Sequence, residues 1–416
     1  AKNACLLING STCGILAAIF ALCQKNDRVI VCPNSHKSVF HGLELREAEP
    51  VFVRYEDDSG ESADNKPEAP APDRCDDKPN RNDNKTEASI YQVSEESVIR
   101  AIRENPKASA LILTTPDYAG YMLPLSRIIK EAHSFGIKVL VDGAHGAHLG
   151  IRHQNGVKTV SPVLEGADIV VTSLHKMLPA LTQTALLLAS DGVIDECRRF
   201  LNYFETSSPS YVLMGAAAAC LRFLQNKGDE AFLQHERELN AFYESVTGLS
   251  NLHIAREEDR DPDHIIIRGA EGVWLAKELR KGYDIETEMA DGAFVLALSS
   301  ISDTREGFKR LSDAIRKLDG QAAEHPPDNE TLRIRTLRHK LVCSMPKAMS
   351  HREKAAVTDC IGRVAADYIM IYPPGIPIIL PGERISRDAV SIIMDAKNAG
   401  RSTPGLGDQV WVTYSV

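Results

Sequence analysis

The sequence predicts an α/β protein built on a mostly parallel β-sheet with helices on both faces. Short, almost wholly apolar runs recur through the first half of the chain, among them residues 110–114 and 138–141. Helix-like stretches lie between such runs, at residues 94–104 and 125–135. Strands that are apolar on both faces and alternate with helices are typical of parallel sheets. Ligands of these sheets bind at the carboxyl ends of the strands, so we look there for function.

Further elements follow the same pattern along the chain. The remaining strands of this sheet are predicted at residues 4–8, 28–32, 168–172 and 186–189, with a first helix at 15–24. A helix at 214–245 leads into a compact α/β unit, with strands at 264–268 and 295–299 and helices at 273–281 and 305–318. We therefore expect three domains, at residues 1–225, 226–320 and 321–416.

Composition excludes several classes of protein. The 48 Lys and Arg residues against 57 Asp and Glu give a net charge of −9, which argues against a nucleic-acid partner. The longest apolar run, residues 14–23, is about half of what a membrane-spanning helix needs, so we expect no membrane association. Nine cysteines without a C-x-x-C pair favour a reducing compartment, and we expect a cytoplasmic protein.

Residues 56–89 differ in composition from everything around them. They contain eleven acidic and five basic residues and four prolines, and almost no large apolar side chain. Such a segment cannot bury enough apolar surface to offset the entropy lost on ordering. We predict a solvated surface insertion in the first domain, with a role in binding a partner as the alternative.

The first candidate site follows the first predicted strand. Residues 9–14 read Asn-Gly-Ser-Thr-Cys-Gly and lead into a helix. Backbone amides and hydroxyls at a helix N-terminus bind phosphate, which makes Ser11 and Thr12 candidate phosphate ligands. A Gly-Ser turn without function remains the alternative at this point.

A second candidate is Asp142, which ends the strand at residues 138–141. A carboxylate at the end of a buried strand is costly unless a cation faces it. The alternative is that Asp142 only caps the following turn. His145 and His148, three residues apart, suggest a metal site, but no third ligand occurs at the usual spacing and we predict none.

The third candidate is Lys176, which follows Ser173 and His175 at the end of the strand at 168–172. A lysine in a site shielded from water forms Schiff bases with aldehydes. An aspartate that faces a pyridine nitrogen keeps that nitrogen protonated, as an electron sink requires. Although a strand-end lysine alone is usually a solvated charge, the combination with Asp142 and the phosphate loop indicates pyridoxal 5′-phosphate (PLP).

These motifs resemble the bacterial Orn/Lys/Arg decarboxylases, which are PLP-dependent enzymes of fold type I, like aspartate aminotransferase. The resemblance lies in residues 34–38, 142–148, 173–176, 180–183 and 206–211, and further on in residues 288–291, 372–377 and 381–383. It covers nearly the whole chain except the acidic insertion. It implies a mostly parallel seven-stranded sheet, smaller α/β domains towards the C-terminus, and at least a homodimer.

The resemblance also implies a role for each matching residue. Lys176 would hold PLP as a Schiff base, Asp142 would pair with its ring nitrogen, and His36 and Ala144 would pack on opposite faces of the ring. The expected phosphate ligands are Ser11, Thr12, Ser173 and His175, with Ser208 from a partner subunit. His145 is a further cofactor contact, the catalytic residues would be Lys176, Asp142, His36 and His175, and Glu383 would contact the distal cationic group of the substrate.

The activity implied is decarboxylation of arginine or lysine, less so ornithine, to the amine and CO2, in polyamine synthesis or amino-acid metabolism. Two alternatives remain: another fold-type-I reaction such as transamination or C–S lysis, and a non-catalytic paralogue. The chain departs from the family pattern at Gly143, where a glutamate is usual. It also begins without the family segment that precedes the phosphate loop, so a fragment or an impaired enzyme is expected.

Overall fold

The computed structural model describes residues 3–54, 93–151, 153–154, 157–327, 341–371, 376–398, 402–407 and 409–414. The acidic insertion at 56–89 and residues 372–375 of the 372–377 motif lie outside these ranges. No helix in the described ranges is both long enough and apolar enough to span a membrane.

A seven-stranded sheet forms the centre of the first domain. The strands of this domain are β1 (Asn3–Leu7), β2 (Arg28–Val31), β3 (Glu49–Phe52), β4 (Ala110–Thr114), β5 (Lys138–Asp142), β6 (His153–Gln154), β7 (Val157–Lys158), β8 (Ile169–Ser173) and β9 (Ala185–Ala189). The sheet order is β1-β9-β8-β5-β4-β2-β3, while β6 and β7 form a separate hairpin. Only β9 runs antiparallel to its neighbours, so the prediction of a mostly parallel sheet is confirmed.

Helices cover both faces of this sheet. They are α1 (Gly10–Leu22), α2 (Lys37–Arg46), α3 (Glu95–Glu104), α4 (Leu125–Ser134), α5 (Leu174–Met177) and α6 (Ile194–Phe204). Apolar residues of α1, α2 and α6 share one buried cluster with the sheet, and those of α3 and α4 share another. Burial of apolar surface on both faces accounts for the nearly continuous hydrophobic strands.

The predicted strands of this sheet agree with the observed ones to within one residue at each end. The sequence did not predict β3, because this edge strand contains Glu49 and Pro50 and is only partly buried. It also missed α2 and α6. Helix α1 begins at Gly10, five residues before the predicted start, because the expected phosphate loop is itself the first helical turn.

The second domain is a four-stranded antiparallel sheet with three helices. Its elements are α7 (Tyr211–Ser245), β10 (His253–Ala255), β11 (His264–Arg268), α8 (Gly272–Tyr283), β12 (Met289–Ala290), β13 (Phe294–Leu298) and α9 (Arg305–Ala322). The sheet order is β10-β11-β13-β12, and one apolar cluster joins the sheet to the three helices. The predicted boundary at residue 225 falls inside α7.

The C-terminal region has its own small core and packs on the first domain. Its elements are α10 (Met345–Ser350), β14 (Arg352–Ala356), β15 (Ile369–Met370), β16 (Pro377–Ile379), α11 (Arg387–Asn398) and β17 (Gln409–Thr413). The Tyr368 hydroxyl donates a hydrogen bond to Glu44 of α2 at 2.6 Å, and the Tyr368 ring packs edge-on against His41. These contacts hold the region on the outer side of α2.

Candidate active site

A cavity of about 260 Å³ opens at the carboxyl ends of the parallel strands. It is lined by Gly10, Ser11, Thr12, His36, Ser38, Thr114, Pro116, Tyr118, Asp142, Ala144, His145, Ser173, His175, Lys176, Thr182 and Gln183. Nine of the ten predicted cofactor ligands are therefore brought together by the fold. Ser208 is the exception.

The N-terminus of α1 forms one end of the cavity. Gly10 adopts a positive φ of 81° and its amide donates to the Gln183 carbonyl at 2.9 Å, which joins α1 to the segment before β9. Asn9 occupies the N-cap without making a side-chain cap, so its side chain leaves the first-turn amides after Gly10 open to a ligand. The Ser173 hydroxyl donates to that of Ser11 at 3.0 Å. Amides, hydroxyls and the helix dipole together suit an anion.

Close packing sets the position of this helix end. A Cβ on Gly14 would lie 2.6 Å from Leu7 Cδ1 and 2.9 Å from Val171 Cγ1, so only glycine lets α1 approach β1 and β8 this closely. The approach places Ser11 beside Ser173, at the end of β8.

Asp142 ends β5 and is buried at the middle of the cavity. The Ala144 amide donates to its Oδ1 at 3.2 Å. Burial raises the pKa of Asp142 to about 6, although the charge of Lys176 and the Ala144 amide act in the opposite direction. A buried carboxyl group with so few partners favours a cation in the cavity, such as a protonated ring nitrogen.

His36 is the N-cap of α2 and lines the same cavity. Its Nδ1 accepts a hydrogen bond from the Ser38 amide at 3.2 Å and lies 2.8 Å from the Ser38 hydroxyl. Burial, reinforced by the positive charge of Lys176, lowers the pKa of His36 to about 4. The ring is therefore neutral at pH 7, which suits stacking against an aromatic ligand.

Lys176 lies on the short helix α5, directly after β8. Its Nζ is 2.8 Å from Nε2 of His145 and 3.8 Å from Oε1 of Glu288. Its neighbour His175 donates from Nδ1 to the Thr184 carbonyl at 3.1 Å, which fixes that ring at the cavity wall. An amine held this way faces Asp142 and the N-terminus of α1 across one cavity.

Ser208 and Glu383 do not line the cavity of their own chain. Ser208 is exposed in the turn before α7, where its amide bonds the Thr206 hydroxyl. Glu383 is buried in the C-terminal region, and its carboxyl group accepts from the Leu380 amide at 2.8 Å. Burial raises the pKa of Glu383 to about 8. Within one chain the structure gives neither residue a ligand contact, and their assigned roles stay predictions.

The two histidines that suggested a metal site separate in the fold. His145 faces Lys176, whereas His148 lies with Asp261 and Asp263 of the second domain, with their ligand atoms within 4.8 Å of one another. His148 Nε2 is 2.8 Å from Asp261 Oδ2, a distance typical of a directly paired histidine and carboxylate. We interpret this cluster as a direct histidine–carboxylate pairing.

Sequence reasoning missed the residues that the second domain supplies. Glu288 belongs to a motif that carried no assigned role, and it lies beside Lys176. His264 was assigned only to a strand, yet it stacks on His145 with ring centroids 5.3 Å apart. A signal was present in the segment Asp261-Pro262-Asp263-His264, because charged residues beside a buried strand need partners. Which residues pair with this segment was not predictable without the fold.

The residues of the cavity fit PLP. An anion site at the N-terminus of α1, a buried carboxyl group and a lysine amine correspond to the phosphate, ring nitrogen and aldehyde of that cofactor. Gly143 leaves the site unobstructed, since a Cβ there would meet its nearest neighbour, Val170 Cγ1, at 3.5 Å. The departure at this position is thus compatible with the geometry.

Comparison with solved structures shows the fold. The chain superimposes on the lysine decarboxylase LdcF of Francisella novicida with a TM-score of 0.77 at 14% sequence identity, covering 99% of this chain and 69% of that one. The fold is therefore that of the fold-type-I PLP-dependent enzymes.

Sequence comparisons define the family. The model described as the major domain of Orn/Lys/Arg decarboxylase matches residues 1–61 and 78–251, and that of its C-terminal domain matches residues 344–414. The uncharacterized protein YaaO of Bacillus subtilis is 34% identical over 400 residues, 92% of this chain and 76% of that protein. An arginine decarboxylase of the same organism is 27% identical, covering 96% of this chain and 79% of the relative. The chain belongs to the Orn/Lys/Arg decarboxylase family, as the motifs predicted.

Proposed function

We propose that this chain decarboxylates a basic amino acid, with arginine or lysine favoured over ornithine, and with PLP in the cavity described above. The observation that carries the proposal is that one cavity unites Lys176, Asp142 and the N-terminus of α1. The family and the relative named arginine decarboxylase support the reaction and its substrate class. The physiological role of the reaction would be polyamine synthesis or amino-acid catabolism.

When bound, PLP supplies an electron sink for the bond that breaks at the substrate Cα. The chain contributes the groups that hold and polarise it. Lys176 would bind its aldehyde covalently, Asp142 would pair with the ring nitrogen, and His36 and Ala144 would hold the ring between them. The phosphate would be held by Ser11, Thr12, Ser173 and His175, and His145 contacts the lysine.

Asp142 acts by holding a proton at the ring nitrogen. Its burial at the end of β5 makes the interaction with a cation strong, because the surroundings have a low dielectric constant. Asp142 would thereby keep the bound cofactor in the form in which its ring withdraws electrons.

His36 and Lys176 have different roles in the proposed reaction. The neutral His36 ring excludes water from one face without adding charge next to Lys176. Lys176 Nζ would hold the cofactor covalently and is one candidate proton donor to the substrate Cα. His175, at the same wall, is the alternative proton donor.

The test is release of CO2 from arginine, lysine and ornithine, each assayed separately with added PLP. Release from one of them, abolished in Lys176→Ala, is the expected result. Lys138→Ala is the matched control. Lys138 lies on strand β5 of the same sheet, but it pairs with Asp168 away from the cavity. Formation of a keto acid or sulfide instead of CO2 would establish transamination or C–S lysis. Cofactor binding without any product would indicate a non-catalytic paralogue.

A homodimer is part of the proposal. Ser208 stands beside large apolar side chains that are exposed in the single chain, namely Tyr203, Tyr211 and Val212, each more than 70% exposed. Contact with a second copy would bury them and bring Ser208 towards the partner's cavity. Sedimentation should give twice the chain mass, and Tyr211→Glu should shift the protein towards the monomer. A monomeric native protein with full activity would contradict this arrangement.

We also propose a cytoplasmic location. All eight cysteines within the described ranges are free thiols, six of them buried. Free thiols suit a reducing compartment.

A further inference from the structure

A line of buried polar side chains leads from Lys176 into the second domain. Lys176 Nζ lies 2.8 Å from His145 Nε2, and His145 Nδ1 lies 3.0 Å from His264 Nε2. His264 Nδ1 lies 3.2 Å from Asp261 Oδ2. His145, His264 and Asp261 are each at least 95% buried, so water does not interrupt the line.

The backbone between the two domains fixes this line. The Asp261 amide donates to the Gly120 carbonyl at 2.8 Å, and the His264 amide donates to the Asp261 carbonyl at 3.0 Å. Gly120 has a φ of 84°, and a Cβ there would lie 2.6 Å from His264 Cβ. Only glycine therefore allows the imidazole of His264 to pack against the loop that follows β4.

The charges around the line determine which way a proton can move along it. The neighbouring His148 and His264 hold the pKa of Asp261 well below its usual range, so its carboxylate is ionised. A carboxylate 3.2 Å from Nδ1 of His264 favours a proton on that nitrogen, and we therefore assign Nε2 as the acceptor. His145 then donates from Nδ1 and accepts at Nε2, the nitrogen that faces Lys176. Burial lowers the pKa of His145 well below its usual range, so the ring is neutral and retains this acceptor.

We propose that His145 and His264 form a proton relay that takes a proton from the Lys176 ammonium group and stores it on His264 beside Asp261. In this step a proton passes from Lys176 Nζ to His145 Nε2, while the proton on His145 Nδ1 passes to His264 Nε2. The products are a neutral amine, a neutral His145 with its proton on the other nitrogen, and an imidazolium paired with the Asp261 carboxylate. Charge and protons balance without a co-reactant.

The relay deepens the proposed function and rests on it for its purpose. Only an unprotonated amine attacks an aldehyde, so Lys176 must lose a proton before it can bind the cofactor or displace a product amine. His145 contacts the reacting amine directly, whereas His264 and Asp261 act through it as positioning residues. The second domain thereby controls the state of a lysine on the first.

Other charged groups face the relay and define its background. His36 and Glu288 face Lys176 from the first and second domains, and His148 contacts the Asp261 carboxylate from the first. Asp117 and Arg260 lie close enough to His264 to interact electrostatically with it or with each other. All of these groups remain in the variants below. Loss of the Asp261 charge would by itself favour the neutral Lys176 amine, so a rise in the labelling pH is the result that reports the relay.

The test measures the reactivity of the Lys176 amine rather than catalysis. The full chain, stripped of cofactor, is pulsed with an amine-acylating reagent between pH 6 and pH 10. Mass spectrometry of the Lys176 peptide then gives the pH of half-maximal labelling. Asp261→Asn and His264→Gln should each raise this pH by about one to two units, because the proton acceptor is weakened. His145→Gln should raise it equally.

His235→Gln is the matched control. His235 is another buried histidine paired with an aspartate of the second domain, since its Nε2 lies 2.6 Å from Asp263 Oδ1, but it is outside the relay. Its labelling profile should match that of the native chain. Circular dichroism identifies the variants that fold. If Asp261→Asn does not fold, His264→Gln alone decides the matter.

An unchanged profile in folded His264→Gln would overturn the relay, whatever the enzyme's activity. A profile that moves equally in His235→Gln would also overturn it, because the effect would then be structural. If the profile moves as expected while no substrate releases CO2, the relay stands and the proposed reaction fails.

Discussion

Two groups of polar residues meet at Lys176 and differ in how their polar atoms are satisfied. We call the group that lines the cavity the strand-end wall, and the group that lies behind His145 the second-domain wall. On the strand-end wall, Ser11, Asp142 and Lys176 direct their polar atoms into the cavity. On the second-domain wall, His264 and Asp261 are buried and pair with one another and with His145. Groups left facing a cavity are available to a ligand, whereas groups that pair internally can act only through a neighbour. We therefore expect the first wall to bind and react with a ligand, and the second to set the protonation state of Lys176.

The largest effect should come from the strand-end wall. Asp142→Asn should leave PLP bound but reduce turnover by about a thousandfold, because an amide cannot keep the ring nitrogen protonated. The cofactor's absorbance measures binding, and CO2 release measures turnover.

Asp168→Asn is the control for that variant. Asp168 is as buried as Asp142, but Lys138 and His133 pair with its carboxylate on the far side of the sheet. It should lose stability and keep its turnover per folded molecule. Equal losses of turnover in the two variants would mean that Asp142 has no special role.

Removal of a hydroxyl at the α1 end of the cavity should have an intermediate effect. Ser11→Ala and Ser173→Ala should each raise the Kd for PLP about tenfold, since one charge-assisted hydrogen bond is worth roughly 1.5–3 kcal/mol. The double variant should lose less than the sum, because the two hydroxyls bond each other at 3.0 Å. Equilibrium titration followed by absorbance gives the constants.

Ser94→Ala, which removes the cap of the remote helix α3, should leave PLP affinity unchanged. A strictly additive loss in the Ser11 and Ser173 pair would contradict the shared anion site.

Glu383 is a buried acid that belongs to neither wall. The pKa of Glu383 is raised to about 8, yet this group contacts a backbone amide instead of the cavity. Between about pH 5 and pH 8 the folded chain keeps a proton that the unfolded chain has released, so this residue makes stability fall as pH rises. Glu383→Gln should reduce, by a few kcal/mol, the change in the free energy of unfolding over this pH range.

Denaturant unfolding of the native chain and of Glu383→Gln at pH 5 and pH 8.5 measures the difference. Turnover with a saturating basic substrate separates the two roles of Glu383. A large rise in KM with unchanged pH dependence would establish the substrate contact predicted from the sequence.

The smallest effect is expected at Gly143. A Cβ there meets only ordinary van der Waals contacts, so Gly143→Ala should keep turnover within about twofold. It should also raise the melting temperature slightly, because alanine restricts the unfolded chain. A severe loss of cofactor binding would show that the space beside Asp142 is needed.

The two walls also differ in how far the sequence predicted them. The strand-end wall comes from motifs next to predictable apolar strands, so residues such as Asp142 and Lys176 were placed correctly at one sheet edge. The second-domain wall depends on a contact between Gly120 and His264, 144 residues apart, which no local pattern encodes. Ser208 and Glu383 stay predictions because their expected partners are not in the cavity of one chain.

The most direct test of the account is borohydride reduction of the chain after incubation with PLP, followed by peptide mapping. Reduction makes a lysine–cofactor bond permanent, and mass spectrometry then identifies the lysine. We predict a pyridoxyl group on Lys176, absent from Lys176→Ala and retained in Lys138→Ala. Modification of a different lysine, or none at all in a folded chain, would contradict the central claim that this cavity is a PLP site.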